Sequence, residues 1–368
     1  MNTNLWNILS QENLVTGNLA NKPNSREEKD SPWVIKILLG FSGWLAAIFI
    51  LGFFVTVFSA MSIQEPPLIL IGTILIVVAF FMLHRQSNFF LGNLALAISL
   101  AGQSMFTIGL FEFFRFSSGL IEQETPFIWF IFSCLQLLLA IIMPSYIHRV
   151  FSAFLTAIGF ASTLYLYQNS MTIPTLYGAF LMLVTAVIWL NEFRFPKHIE
   201  KLQAIAYGFV LALVALKGTN LFIDANLWHI RNSASIERTW FQPWMSEMLL
   251  SAVMVFVVWK LVQKTYPKPS STTQILALVG ALLLSLLSIQ AQGITVGVMI
   301  VLLGFSASNR ILIGLGVISL IFYISSYYYL LEISLMSKSI TLFVLGVGLI
   351  VARWIMLTVS SNKQGAKA

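Results

Sequence analysis

Residues 38–54 read LLGFSGWLAAIFILGFF, an apolar run without a single charge. A helix that is apolar on every face is not a surface helix in water. About 20 such residues are needed to cross the hydrocarbon layer of a bilayer. Similar stretches recur along the whole chain, at about 33–60, 67–83, 89–111, 126–143, 147–167, 174–190, 202–222, 243–262, 274–290, 293–307, 310–329 and 338–358. Hydrophobic residues make up 58% of the 368 residues, charged residues 10%, and mean hydropathy is +0.86. A soluble domain carries about a quarter of its residues as charges, so lipid has to be the solvent here. The expected fold is all-α: a polytopic transmembrane bundle of about twelve spans. The stretch 293–307 is short, and either crosses a thinned region or re-enters as a hairpin with 274–290, which leaves ten spans as the fallback.

The prolines and the charges test these limits separately. All 11 prolines fall in the leader, in loops or at the ends of the stretches. Proline breaks the hydrogen-bond ladder of a helix interior, so continuous helices are expected. Lysine and arginine accumulate in loops that stay in the cytoplasm. With the leader inside and twelve crossings, about three quarters of the 21 lysines and arginines lie inside. The outward loops instead hold Glu65, Glu112, Glu122, Glu124, Asp224, Glu237, Glu247 and Glu332. Both termini are therefore expected inside. Residues 1–32 form a cytoplasmic leader and linker, 33–358 the membrane domain, and 359–368 a cytoplasmic tail. The leader reads as a short helix at the membrane surface or as a protein-binding segment, and no cleavable signal peptide is expected in it.

Composition and motifs exclude several chemistries. One cysteine, Cys134, permits no internal disulfide. The net charge of +7 sits at membrane-facing loops, with no stripe or platform suited to nucleic acid. No Asp or Glu lies in the middle of a stretch, so a carboxylate proton relay has no obvious members. Phosphate-binding loops, zinc motifs and nucleophile elbows are absent. His84, His148 and His198 each neighbour a basic residue at a cytoplasmic boundary, which suits interfacial anchoring better than metal binding. No catalytic residue, cofactor or metal site is expected.

A few polar residues remain as candidates. Lys217, late in its stretch, either extends its ammonium to water or meets a buried partner such as Glu112 or a ligand anion. Gln103 and Gln136 are the deepest strong polar side chains, and an amide in hydrocarbon wants a partner on another helix. They serve as glue between helices or line a substrate pathway. Gly293, Gly297 and Gly304 form a small-residue face for close packing, within the chain or across a dimer. The outer surface gathers aromatics with charges: Phe113, Phe114 and Arg115 beside Glu112; Trp228, Arg231, Glu237 and Trp240 in the long loop at about 223–242; and Tyr327 to Tyr329 near Glu332 and Lys338. This is either a membrane-interface belt or a docking surface.

Both ends of the chain resemble the domain of unknown function 4401 family of bacterial multispanning proteins. The resemblance rests on Leu5, Trp6 and Leu9, on Ser31-Pro32-Trp33 and on the run at 38–54. Towards the C-terminus it rests on Gly304-Phe305, Asn309-Arg310, Gly314, Gly316, Tyr327-Tyr328-Tyr329-Leu330, Lys338-Ser339, Gly346 and Arg353-Trp354, with Ala101-Gly102-Gln103 between. It implies a protein of the bacterial cytoplasmic (inner) membrane without an established activity. It also implies a membrane-anchored partner protein carrying a GDYxxLxY-type motif. Three classes follow: a non-catalytic subunit that docks an envelope partner through its outer loops; a permease with a polar cavity near Lys217, Gln103 and Gln136; and, least favoured, a lipid-modifying enzyme. Substrate, partner identity and oligomeric state are not readable.

Overall fold

The computed structural model describes residues 66–85, 89–118, 121–168, 172–194, 196–231, 243–265, 271–288 and 293–330, with isolated positions in 38–57 and 335–354. The leader 1–32 and the tail 359–368 lie outside the described residues. Regular structure among the described residues is helical throughout. The helices are α1 (Pro66–His84), α2 (Phe89–Ser118), α3 (Ile121–Ile142), α4 (Tyr146–Gln168), α5 (Thr172–Leu190), α6 (Ile199–Arg231), α7 (Pro243–Thr265), α8 (Ser271–Ser288), α9 (Ile294–Ser306) and α10 (Arg310–Leu330). Two short 3-10 turns, Glu192–Arg194 and Pro196–His198, join α5 to α6. Each apolar stretch from 67–83 to 310–329 thus corresponds to one helix. In the first and last stretches, isolated positions such as Phe49 and Trp354 are helical.

Five segments are long and apolar enough to cross a membrane: Phe90–Arg115, Thr125–Ile142, Tyr146–Tyr167, Ile199–Thr219 and Met245–Lys264. The other apolar helices are shorter. Large apolar side chains such as Phe81, Ile141, Phe180, Ile311 and Ile318 point outward from the bundle. Hydrocarbon accommodates such a surface and water does not. This is a helical membrane protein.

Small residues set how the helices approach one another. A Cβ placed on Gly72 of α1 would lie 2.6 Å from the carbonyl oxygen of Gly102 in α2, and one on Gly102 would lie 2.7 Å from that of Gly72. Backbones this close gain dispersion where lipid gives no hydrophobic push between helices. The same device joins α4 to α6, where a Cβ on Gly208 would lie 2.5 Å from the Val150 oxygen. Along α9 and α10, Gly297 meets Leu320, Gly304 meets Ile313 and Gly316 meets Val301, each closer than 3 Å to a built Cβ. The expected glycine face is therefore used within the chain. Gly293 adds a conformational need: its φ is 91°, and Tyr323 lies against it.

With only 13 residues, α9 spans about 20 Å. It runs antiparallel to α10 and is buried on most of its surface. Val296, Met299, Ile300 and Leu303 pack into one core with Met182, Leu213, Leu250, Met254 and Leu312. Shortness here belongs to an interior helix, enclosed by α5, α6, α7 and α10. After α9 the chain turns through Ser308 (φ 52°), and the Asn309 side chain accepts from the Ile311 and Leu312 amides at 3.1 and 3.2 Å. That caps the first turn of α10.

Two expected limits are corrected. Pro126 lies inside α3, because the helix begins at Ile121. Proline's missing N–H and its clash fall on the first turns, ahead of most of the apolar segment, so the helix continues. The second correction concerns the loop expected at about 223–242: α6 continues to Arg231, a helix of 33 residues and about 50 Å. Hydrocarbon about 30 Å thick cannot contain it, so one end projects.

Candidate functional site

Buried polar side chains gather in three places. The first joins α2, α3 and α4. Gln103 and Gln136 meet directly, the Gln136 Nε2 donating to Gln103 Oε1 at 2.8 Å. Gln103 Nε2 in turn lies 3.1 Å from Ser99 Oγ and 3.3 Å from His148 Nε2. The His148 ring is bonded at both nitrogens, to Ser99 Oγ at 2.8 Å and to Ser152 Oγ at 3.1 Å. Nearby, Ser133 donates to the Thr156 carbonyl at 2.9 Å, tying α3 directly to α4. His148 therefore does not anchor at the membrane interface: it is buried inside the bundle. Its place one residue before Arg149 concealed this, yet the Ser152 spacing of four puts a hydroxyl on its own helix face. His84 and His198 are exposed.

Ser99 beside His148 has the composition of a nucleophile and its base. The hydroxyl is nevertheless 0% exposed, and its hydrogen bonds are to side chains of the same cluster. The geometry favours cohesion between helices. Gln136 Oε1 alone is left in this cluster without a hydrogen-bond partner among the described residues.

The second cluster joins α6, α7 and α10. Lys217 Nζ lies 2.7 Å from Glu247 Oε1 and 3.1 Å from Ser246 Oγ, with the side chains of the pair only 5% and 2% exposed. Tyr323 packs beside it, its hydroxyl donating to the Val214 carbonyl at 3.2 Å. Of the two sequence readings for Lys217, the buried partner is the one observed, and it is Glu247 rather than Glu112. Glu112 instead sits on an exposed face of α2 with Arg115, 3.6 Å away. An ion pair withdrawn from water is expensive unless both charges are held. Glu247 Oε2 has no hydrogen-bond partner among the described residues.

The third cluster lies where α4, α5, α6 and the α9–α10 turn converge. Trp189 and Tyr207 meet edge to face at 5.1 Å. Gln203 donates to Glu192, and the Asn309 side chain faces Tyr207. Arg149 and Glu192 are buried here too. None of these residues was singled out from the sequence as a buried group, because their burial depends on the converging helix ends.

The candidates thus separate. Gln103 and Gln136 belong to the first cluster and Lys217 to the second. Of Arg231 only the helical backbone is described, and Lys338 lies outside the described residues. Two cavities, of about 530 and 380 Å³, are lined by residues of none of these clusters. Among the described residues no group of three His, Cys, Asp or Glu side chains is placed to share a metal ion.

No curated protein and no solved structure matches the chain. The family model for Domain of unknown function (DUF4401) matches residues 32–359, a stretch that includes every described helix, and the chain belongs to that family.

Proposed function

We propose that this protein is a non-catalytic subunit of the bacterial cytoplasmic membrane, with twelve spans and both termini inside, that docks a membrane-anchored envelope partner through its outer surface. The observation that carries this reading is the Lys217–Glu247 pair. It joins the two helices that bracket the longest outer segment, 232–242. Buried charges hold one relative arrangement of two helices at the expense of desolvation, which is reasonable where their ends must present a surface. Packing supports the alternating topology. Asn191 at the end of α5 and Lys264 near the end of α7 line one cavity, as parallel helices flanking an oppositely directed α6 require. The α9–α10 turn reaches Tyr207 near the inner end of α6, while Tyr323 reaches Val214 near its outer half.

Glu247 Oε2 and Gln136 Oε1, which have no hydrogen-bond partner among the described residues, favour a second reading, a permease. Affinity capture in mild detergent, with mass spectrometry of bound proteins, separates the two. For a docking subunit, Arg231→Ala with Trp240→Ala loses the partner, whereas Gln103→Ala keeps it. Retention of the same partner by the outer-segment variant counts against docking. A substrate whose uptake fails in Gln103→Ala, while that variant stays folded and keeps the partner, supports the permease.

A further inference from the structure

A groove of about 380 Å³ lies between the ends of α5 and α7, lined among others by Val187, Leu190, Asn191, Phe256, Lys260 and Lys264. Its walls divide by chemistry. Val187, Leu190 and Phe256 make an apolar floor, while Lys260 and Lys264, four residues apart, share one face of α7. Lys260 Nζ also lies 4.7 Å from the ring centre of Trp259. Lysine beside tryptophan at the end of a membrane-crossing segment, Met245–Lys264, marks the level of lipid headgroups.

We propose that this groove binds an anionic phospholipid, its phosphate held by Lys260 and Lys264 and an acyl chain lying along Val187 and Phe256. Charge complementarity selects this occupant. The C-terminal ends of α5 and α7 both point here and present partial negative charge. Lys264 lies 3.4 Å from the Leu190 carbonyl, at the end of α5. The helix ends repel an anion, so its attraction to this groove comes from the positive charges of Lys260 and Lys264. An apolar floor leading away from the charges suits a lipid better than a free anion, and basic grooves between membrane helices are lipid-headgroup sites in general. The groove faces the inner leaflet in the topology proposed above; the binding itself does not depend on that topology or on docking.

Native mass spectrometry of the full chain in mild detergent tests this, titrated with dioleoylphosphatidylglycerol, dioleoylphosphatidylcholine or inorganic phosphate. The anionic lipid is expected to be retained about tenfold more than the zwitterionic one. Lys260→Gln with Lys264→Gln removes the preference, Lys260→Arg with Lys264→Arg restores it, and Arg85→Gln, in the other cavity, leaves it unchanged. Melting without added lipid checks that each variant is folded. Equal retention of the two lipids overturns the proposal, as does a preference surviving in the folded double Gln variant. Loss of the preference in Arg85→Gln, or displacement of the lipid by millimolar phosphate, overturns it too. Failure of partner capture leaves these readouts untouched.

Discussion

Removing Lys217 leaves the Glu247 carboxylate buried among apolar groups, and removing both charges does not. Lys217→Met is therefore expected to destabilise the protein by about 3–5 kcal/mol, and Lys217→Met with Glu247→Leu to recover most of that loss. Thermal unfolding of the purified variants in one detergent measures both. A double variant no more stable than the single one removes the pair from any role in holding α6 to α7. At the amide pair, Gln136→Leu withdraws one bond from Gln103, whereas Gln103→Leu also withdraws contacts from Ser99 and His148. The first is expected to lower stability by about 1 kcal/mol and the second by more. How legible these residues were depended on what kind of information fixed them. An amide in an apolar run demands a partner wherever it sits, so Gln103 and Gln136 could be singled out from sequence. The partner of Lys217 could not, because Glu112 and Glu247 are equivalent until helix packing chooses α7. His148 was obscured by Arg149, since a basic neighbour near Pro144 reads as a boundary.

Helix contacts in this protein depend on missing side chains as much as on present ones. Gly102→Val would put a branched side chain against the Gly72 carbonyl, whereas among the described residues nothing lies within 4 Å of a Cβ built on Gly280. Gly102→Val is thus expected to cost about 1–3 kcal/mol or more and to lower the yield of folded protein. Gly280→Ala should be neutral or stabilise α8 by up to about 1 kcal/mol. Size-exclusion profiles and melting curves check the contrast. Asn309→Ala, which removes the cap of α10, is expected to cost about 1 kcal/mol. The helices themselves were readable because apolar runs and proline positions report on them directly. Their ends were less so. The segment Asp224–Arg231 mixes charges with aromatics and reads as loop, yet it continues α6, since a helix already nucleated extends at little cost.

Orientation belongs to the molecule as a whole, because no single helix decides it. The lysine and arginine bias predicts that a reporter active only in the periplasm stays silent when fused after Ala368 and becomes active when inserted at residue 236. The opposite pattern would invert every surface assigned to a side. Fold class was legible at this scale from composition alone, since a chain with 10% charged residues has no other solvent than lipid. The grouping of buried polar side chains into three separate clusters was not, because it follows from which helices touch.

The enclosed position of α9 bears on the order in which the protein assembles. Its glycine-lined face is complementary to α10, which is synthesised after it, so until then Gly297 and Gly304 offer neighbouring lipid only shallow gaps. A nascent chain halted near residue 307 would carry a segment too short to settle across the bilayer unaided, and such a truncation should be cleared by membrane proteases, whereas one halted after residue 330 should persist.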